Sequence, residues 1–167
     1  LRVLLVDNCH LSAAGFKALV EASWPALTCL NARYANVAID GPHALGAAAF
    51  AGFPVLEEAE LTGVELREAG ARLLARRRWP RLLNLMLNSC HLGAAGRAAL
   101  AAGEWPALER LELSYNDLSP PLTLEDARRW APALAVLEQR ELSRSYLGEP
   151  PAPAAPPAAA AGAETLS

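Results

Sequence analysis

The chain is poor in cysteine, holding three in 167 residues. An odd number in a chain of this length does not look like a disulfide framework, and reduced, intracellular thiols are the simpler reading. A strong excess of either charge is missing as well, since the net charge is −3 and the pI about 5.6. That balance builds no broad positive field, so neither nucleic acid nor an anionic membrane is expected as a partner. No apolar run is long enough for a membrane span. Phosphate loops are missing too: Gly93-Ala94-Ala95-Gly96 lacks the lysine and the preceding strand register of one. His43, in Ile39-Asp40-Gly41-Pro42-His43, has no serine or cysteine nucleophile in a recognisable elbow nearby. The chain opens on Leu1, already inside a repeat, and reads as a fragment or trimmed product; the missing signal peptide therefore excludes nothing.

What is present is 53% hydrophobic and 20% charged, ample for one domain with a core. Two segments are near copies, Asn8-Cys9-His10-Leu11-Ser12-Ala13-Ala14-Gly15 and Ser89-Cys90-His91-Leu92-Gly93-Ala94-Ala95-Gly96. Each is followed by an apolar helical stretch and a Trp-Pro pair, Trp24-Pro25 and Trp105-Pro106. Aligned on that pattern, repeats begin at Leu1, Leu27, Leu56, Leu82 and Leu108, in steps of 26, 29, 26 and 26 residues. The second repeat thus carries three extra residues, and a further start is due at Leu134.

Inside each repeat the apolar offsets recur, as in Leu82, Leu85, Leu87, Cys90 and Leu92, or Leu108, Leu111, Leu113, Asn116 and Leu118. Alternation with period two predicts a short strand with its leucines inward. Phe16, Leu19 and Val20 then fall at helical spacing, a theme that Leu45 with Ala48 and Ala49, and Leu73 with Leu74, repeat. A glycine early in each helix (Gly15, Gly41, Gly70, Gly96) points to close packing between repeats. The Trp-Pro pair stops the helix, because proline cannot continue it. Arg76-Arg77-Arg78 read as cations solvating a helix C-terminus.

This pattern, L-x-x-L-x-L-x-x-N/C-x-L from Leu1 to about Leu118, resembles the leucine-rich repeat family, in its ribonuclease-inhibitor-like or cysteine-containing classes. The resemblance implies an α/β solenoid with a curved parallel sheet on the concave side and helices on the convex side. Asn116 alone supplies the asparagine that bonds loop backbone between coils; Cys9, Cys90, Ala35 and Val64 fill the other slots as apolar contacts. After Leu118 the signal weakens, with Pro120-Pro121, Leu122 for glycine and Asp126 for the helix leucine. The last coil could continue through Leu134, Leu137 and Leu142, or slip to Leu137, Leu142 and Leu147. The solenoid is expected over 1–147 and a disordered Ala/Pro-rich tail over 148–167.

Cys9-His10 and Cys90-His91 occupy one repeat position three coils apart, on the order of 15 Å, too far to share a zinc ion. No metal, cofactor or catalytic residue is expected. The acidic residues Glu57, Glu58, Glu60 and Glu65 read as a charged solvent face. The concave side chains mix charge, amide and aromatic in the manner of a protein-recognition surface, with Arg33, Tyr34, Met86, Arg110 and Tyr115 as the candidate anchors. The expected function is a monomeric, non-enzymatic scaffold for a protein partner. A Ran-type GTPase activator and the substrate-recognition part of an F-box ubiquitin ligase adaptor are the alternatives the repeat architecture implies. A cytoplasmic location is expected, with a cilium-associated one as the alternative.

Overall fold

The computed structural model describes residues 1–35 and 45–139. Val37, the Ile39–His43 stretch, Leu142, Leu147 and the expected tail lie outside the described residues. Six three-residue strands form one open parallel sheet: β1 (Val3–Leu5), β2 (Cys29–Asn31), β3 (Glu58–Glu60), β4 (Asn84–Met86), β5 (Arg110–Glu112) and β6 (Val136–Glu138). Their order in the sheet is their order in the chain. Each begins two residues after a repeat-start leucine, and the register pairs equivalent positions throughout, Val3↔Cys29, Cys29↔Glu58, Glu58↔Asn84, Asn84↔Arg110 and Arg110↔Val136. Leu137 faces Leu111, so β6 follows the phase that starts at Leu134.

A strand alternates its side chains between two faces, and here the central residue is the one turned inward. Leu30, Ala59, Leu85 and Leu111 are at most 3% exposed, and they join Leu27, Leu61, Leu82, Leu87, Leu108 and Leu113 in one core. The helices cover that side of the sheet. They are α1 (Ala13–Glu21), α2 (Arg67–Ala75), α3 (Gly93–Ala101) and the short α4 (Leu124–Arg128). Ser12 caps α1 through the Gly15 amide, and Phe16 and Val20 are fully buried from its inner face. α2 and α3 pack side by side. Among the described residues no helix is long and apolar enough to cross a membrane.

Four local expectations are corrected. The early helix glycines do not chiefly serve contact between repeats. A Cβ on Gly70 or Gly96 would come within 2.7 or 2.9 Å of the Cβ of Leu66 or Leu92, the buried leucine of the same repeat. The second repeat does not build a helix from Leu45 to Ala49. Residues 47–52 form successive turns, held by the Ala49 and Ala51 amides on the Gly46 and Ala48 carbonyls, and Phe50, at φ 62°, donates its amide to the Val20 carbonyl at the end of α1. Arg77 is not merely a solvated helix end: its guanidinium donates to the Ala49 carbonyl (3.0 Å) and to that of Ala47, tying those turns to the helix that follows. Cys9 is exposed, because at the first strand no neighbouring repeat covers its slot, whereas Cys90 is fully buried.

The Trp-Pro stop holds a bond that the proline argument alone does not contain. The indole N–H groups of Trp24, Trp79 and Trp105 donate to the carbonyls of Leu19, Leu74 and Leu100, each five residues earlier, at 2.8, 2.9 and 3.0 Å. Helix-end carbonyls have no partner within the helix, and the indoles supply one while burying a large ring. Trp79 and Trp105 also stack in parallel, with centroids 6.5 Å apart. In the last repeat the polar replacement Asp126 sits in a cap, its amide donating to the Thr123 hydroxyl at the start of α4.

Candidate functional site

The second face of the sheet carries the flanking residue of each strand and the two or three residues that follow it. No helix covers this side, so β1 leaves Val3 and Leu5 48% and 60% exposed. From β2 onward polar residues predominate, with Cys29, Met86 and Val136 the apolar exceptions, and several engage one another. Asn88 donates its amide to Glu112 (2.7 Å) and accepts the Ser114 N–H (2.8 Å). Glu60 accepts the Thr62 N–H, and Asn31 the Arg33 N–H, in the same strand-to-turn geometry. Arg110 bridges Glu112, at 2.8 Å, and Glu138. Hydrogen bonding to Glu112 and the charge of Glu138 push its guanidinium pKa above the ordinary value.

After each of the first five strands the backbone enters the left-handed region at one fixed offset: Asn8, Tyr34, Gly63, Ser89 and Tyr115, with φ between 51° and 76°. Glycine and asparagine adopt this conformation readily, but a bulky aromatic does so at a cost. Two of the five positions are nonetheless tyrosine, 39% and 46% exposed. Tyr34 lies under the Arg33 guanidinium, 4.6 Å from ring centroid to Cζ, and its phenol raises the Arg33 pKa. The ring leans over the next repeat, where a Cβ on Gly63 would sit 2.8 Å from its Cδ1. Gly63 is therefore required twice, by its φ of 76° and by the tyrosine above it.

Between these tyrosines runs a groove of about 360 Å³ crossing the strands. Its lining comes from three repeat columns: Glu60, Glu112 and Glu138; then Arg33, Thr62, Asn88 and Ser114; then Tyr34, Ser89 and Tyr115. Three of the five sequence candidates, Arg33, Tyr34 and Tyr115, thus share one feature. Arg110 stands outside the lining but holds two of its carboxylates, and Met86, half-buried on β4, is outside the lining as well although register sets it between Glu60 and Glu112. Sequence reasoning placed Glu60 and Glu112 on this face without singling them out, and it missed Glu138. The signal that locates all three is their common register column, Glu60, Met86, Glu112 and Glu138. Thr62 and Ser114, which follow β3 and β5 on this face, are only 8% and 7% exposed.

Beneath the turns, Asn116 makes the bonds expected of it. Its side-chain oxygen accepts the Cys90 and Leu92 amides (2.9 and 3.3 Å), and its Nδ2 donates to the Leu87 and Leu113 carbonyls (2.7 and 2.9 Å). Burial pushes the Cys90 thiol up to about 12, and its Sγ donates to the Leu61 carbonyl at 3.3 Å. Burial and the nearby Glu58 also raise Cys29. Among the described residues no three His, Cys, Asp or Glu side chains gather as a metal-ligand set. A second groove, of about 750 Å³, follows the helix stops between Trp79, Pro80, Trp105, Pro106, Trp130 and Pro132. Its two inner indoles are at most 2% exposed and already occupied by the helix carbonyls and by each other, so they offer a ligand little. No protein-family model matches the chain, and no curated protein aligns with it significantly.

Proposed function

We propose that the chain is a leucine-rich-repeat solenoid that binds a protein partner on the concave, uncovered face of its sheet and performs no catalysis itself. The observation that carries this reading is the groove lined by two exposed tyrosines, Tyr34 and Tyr115. Each ring is held exposed on a left-handed backbone that its residue type disfavours. Strain of this kind persists where surrounding structure over-determines it, and it concentrates at ligand-contacting positions. Tyrosine and arginine are the residues that most often anchor protein interfaces. The regular 26-residue step and the in-register pairing of all six strands support the repeat architecture.

The test is affinity capture of cellular proteins on immobilised chain, comparing the wild type with Arg33→Ala, Tyr34→Ala and Tyr115→Ala. Loss of a retained protein in the variants, with unchanged circular dichroism, is the expected result. Retention unaffected by all three substitutions would remove the proposal.

A further inference from the structure

We infer that the groove receives a cationic, extended peptide segment lying across the strands, with the two tyrosines bracketing about four of its residues. This rests on the reading of the uncovered face as the binding surface and adds the chemistry of what binds there. The first support is charge. On this face, among the described residues, carboxylates stand at Asp7, Glu58, Glu60, Glu112 and Glu138, and guanidinium groups only at Arg33 and Arg110. Arg110 is committed to Glu112 and Glu138, and Arg33 lies over the Tyr34 ring. Glu58 and Glu60, both on β3, form no ion pair among the described residues; Arg33 is close enough to feel the charge of Glu60, and no guanidinium on this face is paired with Glu58.

A second, independent observation is the groove floor. Thr62, 8% exposed, lines the groove, and its Oγ1 has no hydrogen-bond partner among the described residues. Buried polar atoms are nearly always satisfied, so this hydroxyl is open to a donor or acceptor from whatever occupies the groove. An extended backbone supplies both, an N–H and a C=O, at every residue.

Shape sets the length. Between Tyr34 and Tyr115 the same turn position is filled by Gly63 and Ser89, so a low stretch two repeats wide separates two rings. Three strand spacings make that distance about 14 Å, and an extended chain advancing about 3.4 Å per residue crosses it in roughly four residues. A lysine or arginine of that segment meets Glu60 in the groove, with Glu58 beyond it on the same strand, and the Tyr115 ring carries no cation of this chain among the described residues, so charge pairing and cation–π attraction both favour it.

The test uses the full chain and three fluorescein-labelled octapeptides of glycine and serine carrying two arginines, two glutamines or two glutamates, read by fluorescence anisotropy. The arginine peptide should bind, and binding should weaken at least about tenfold between about 50 and about 500 mM salt. Glu58→Gln with Glu60→Gln, which keeps the acceptor for the Thr62 amide, should weaken it by about tenfold at equal thermal stability. Glu58→Lys with Glu60→Lys should transfer preference to the glutamate peptide. Equal binding of the glutamine or glutamate peptide to the wild-type chain, or an arginine-peptide affinity indifferent to the glutamine variant, overturns the inference. If a cellular protein is lost on Tyr34→Ala and Tyr115→Ala while the arginine peptide fails to bind, the surface stands and its cationic preference falls. If both fail, the surface falls too.

Discussion

Asn116 shows how much one side chain can hold when every one of its polar atoms is used beneath a turn. It is 1% exposed and joins the loop of its own repeat to that of the repeat before it. Asn116→Ala would leave the Cys90 and Leu92 amides buried without an acceptor, and the expected loss is about 3 kcal/mol in a urea titration. The same turn position in the preceding repeat is Cys90, whose raised pKa has a sign that can be worked out. The thiol ionises near 9.0 when unfolded and only near about 12 when folded. Its contribution is therefore complete below about pH 9 and declines as pH rises toward 12. Wild type should lose stability between pH 9 and 11 more steeply than Cys90→Ala, measured by thermal melts. The roles of Asn116 and Cys90 were legible from their place in the repeat. The left-handed tyrosines were not, since nothing in residue type announces a φ that tyrosine normally avoids.

At the level of elements, the helix stop is the feature with the most physical content. A proline explains why the helix ends, but the indole N–H explains how the end is satisfied, and the two were separable only in three dimensions. Trp105→Phe keeps a ring against Trp79 while removing the donor to Leu100, so the expected cost is about 1–2 kcal/mol. Trp130, which makes no such indole bond, should tolerate the same change at under about 0.5 kcal/mol; urea midpoints of both variants check this. Strand positions followed directly from period-two leucines, because each strand needs only one inward residue to fix its face. The missing helix of the second repeat was illegible for the opposite reason. Its apolar spacing suits a helix, whereas the turns formed there are tied to the Val20 carbonyl of the preceding repeat, a contact that no local pattern encodes.

Across the whole molecule, protection is graded from the middle outward. Central strands are sandwiched between neighbours, whereas β1 has a neighbour on one side only, and Leu4 is correspondingly less buried than Leu85. Leu85→Ala should cost about 3 kcal/mol and Leu4→Ala about 1, in denaturant titrations of the two variants. Amide exchange should be slowest in β3, β4 and β5 and fastest in β1. The overall α/β layout was readable from the sequence because equal steps leave few ways to arrange equal units. The groove was harder to read, because its walls come from different repeats that meet only through strand register, as do Asn88 and Glu112, 24 positions apart. That register has a wider consequence. Cys29 pairs with Glu58 across a step of 29 residues as faithfully as Asn84 pairs with Arg110 across 26. Insertions in the connecting half are absorbed without shifting a single column of the sheet. Evolution is thereby free to lengthen the connections, and to rewrite the outward letters one at a time, while the grammar that aligns them stays untouched.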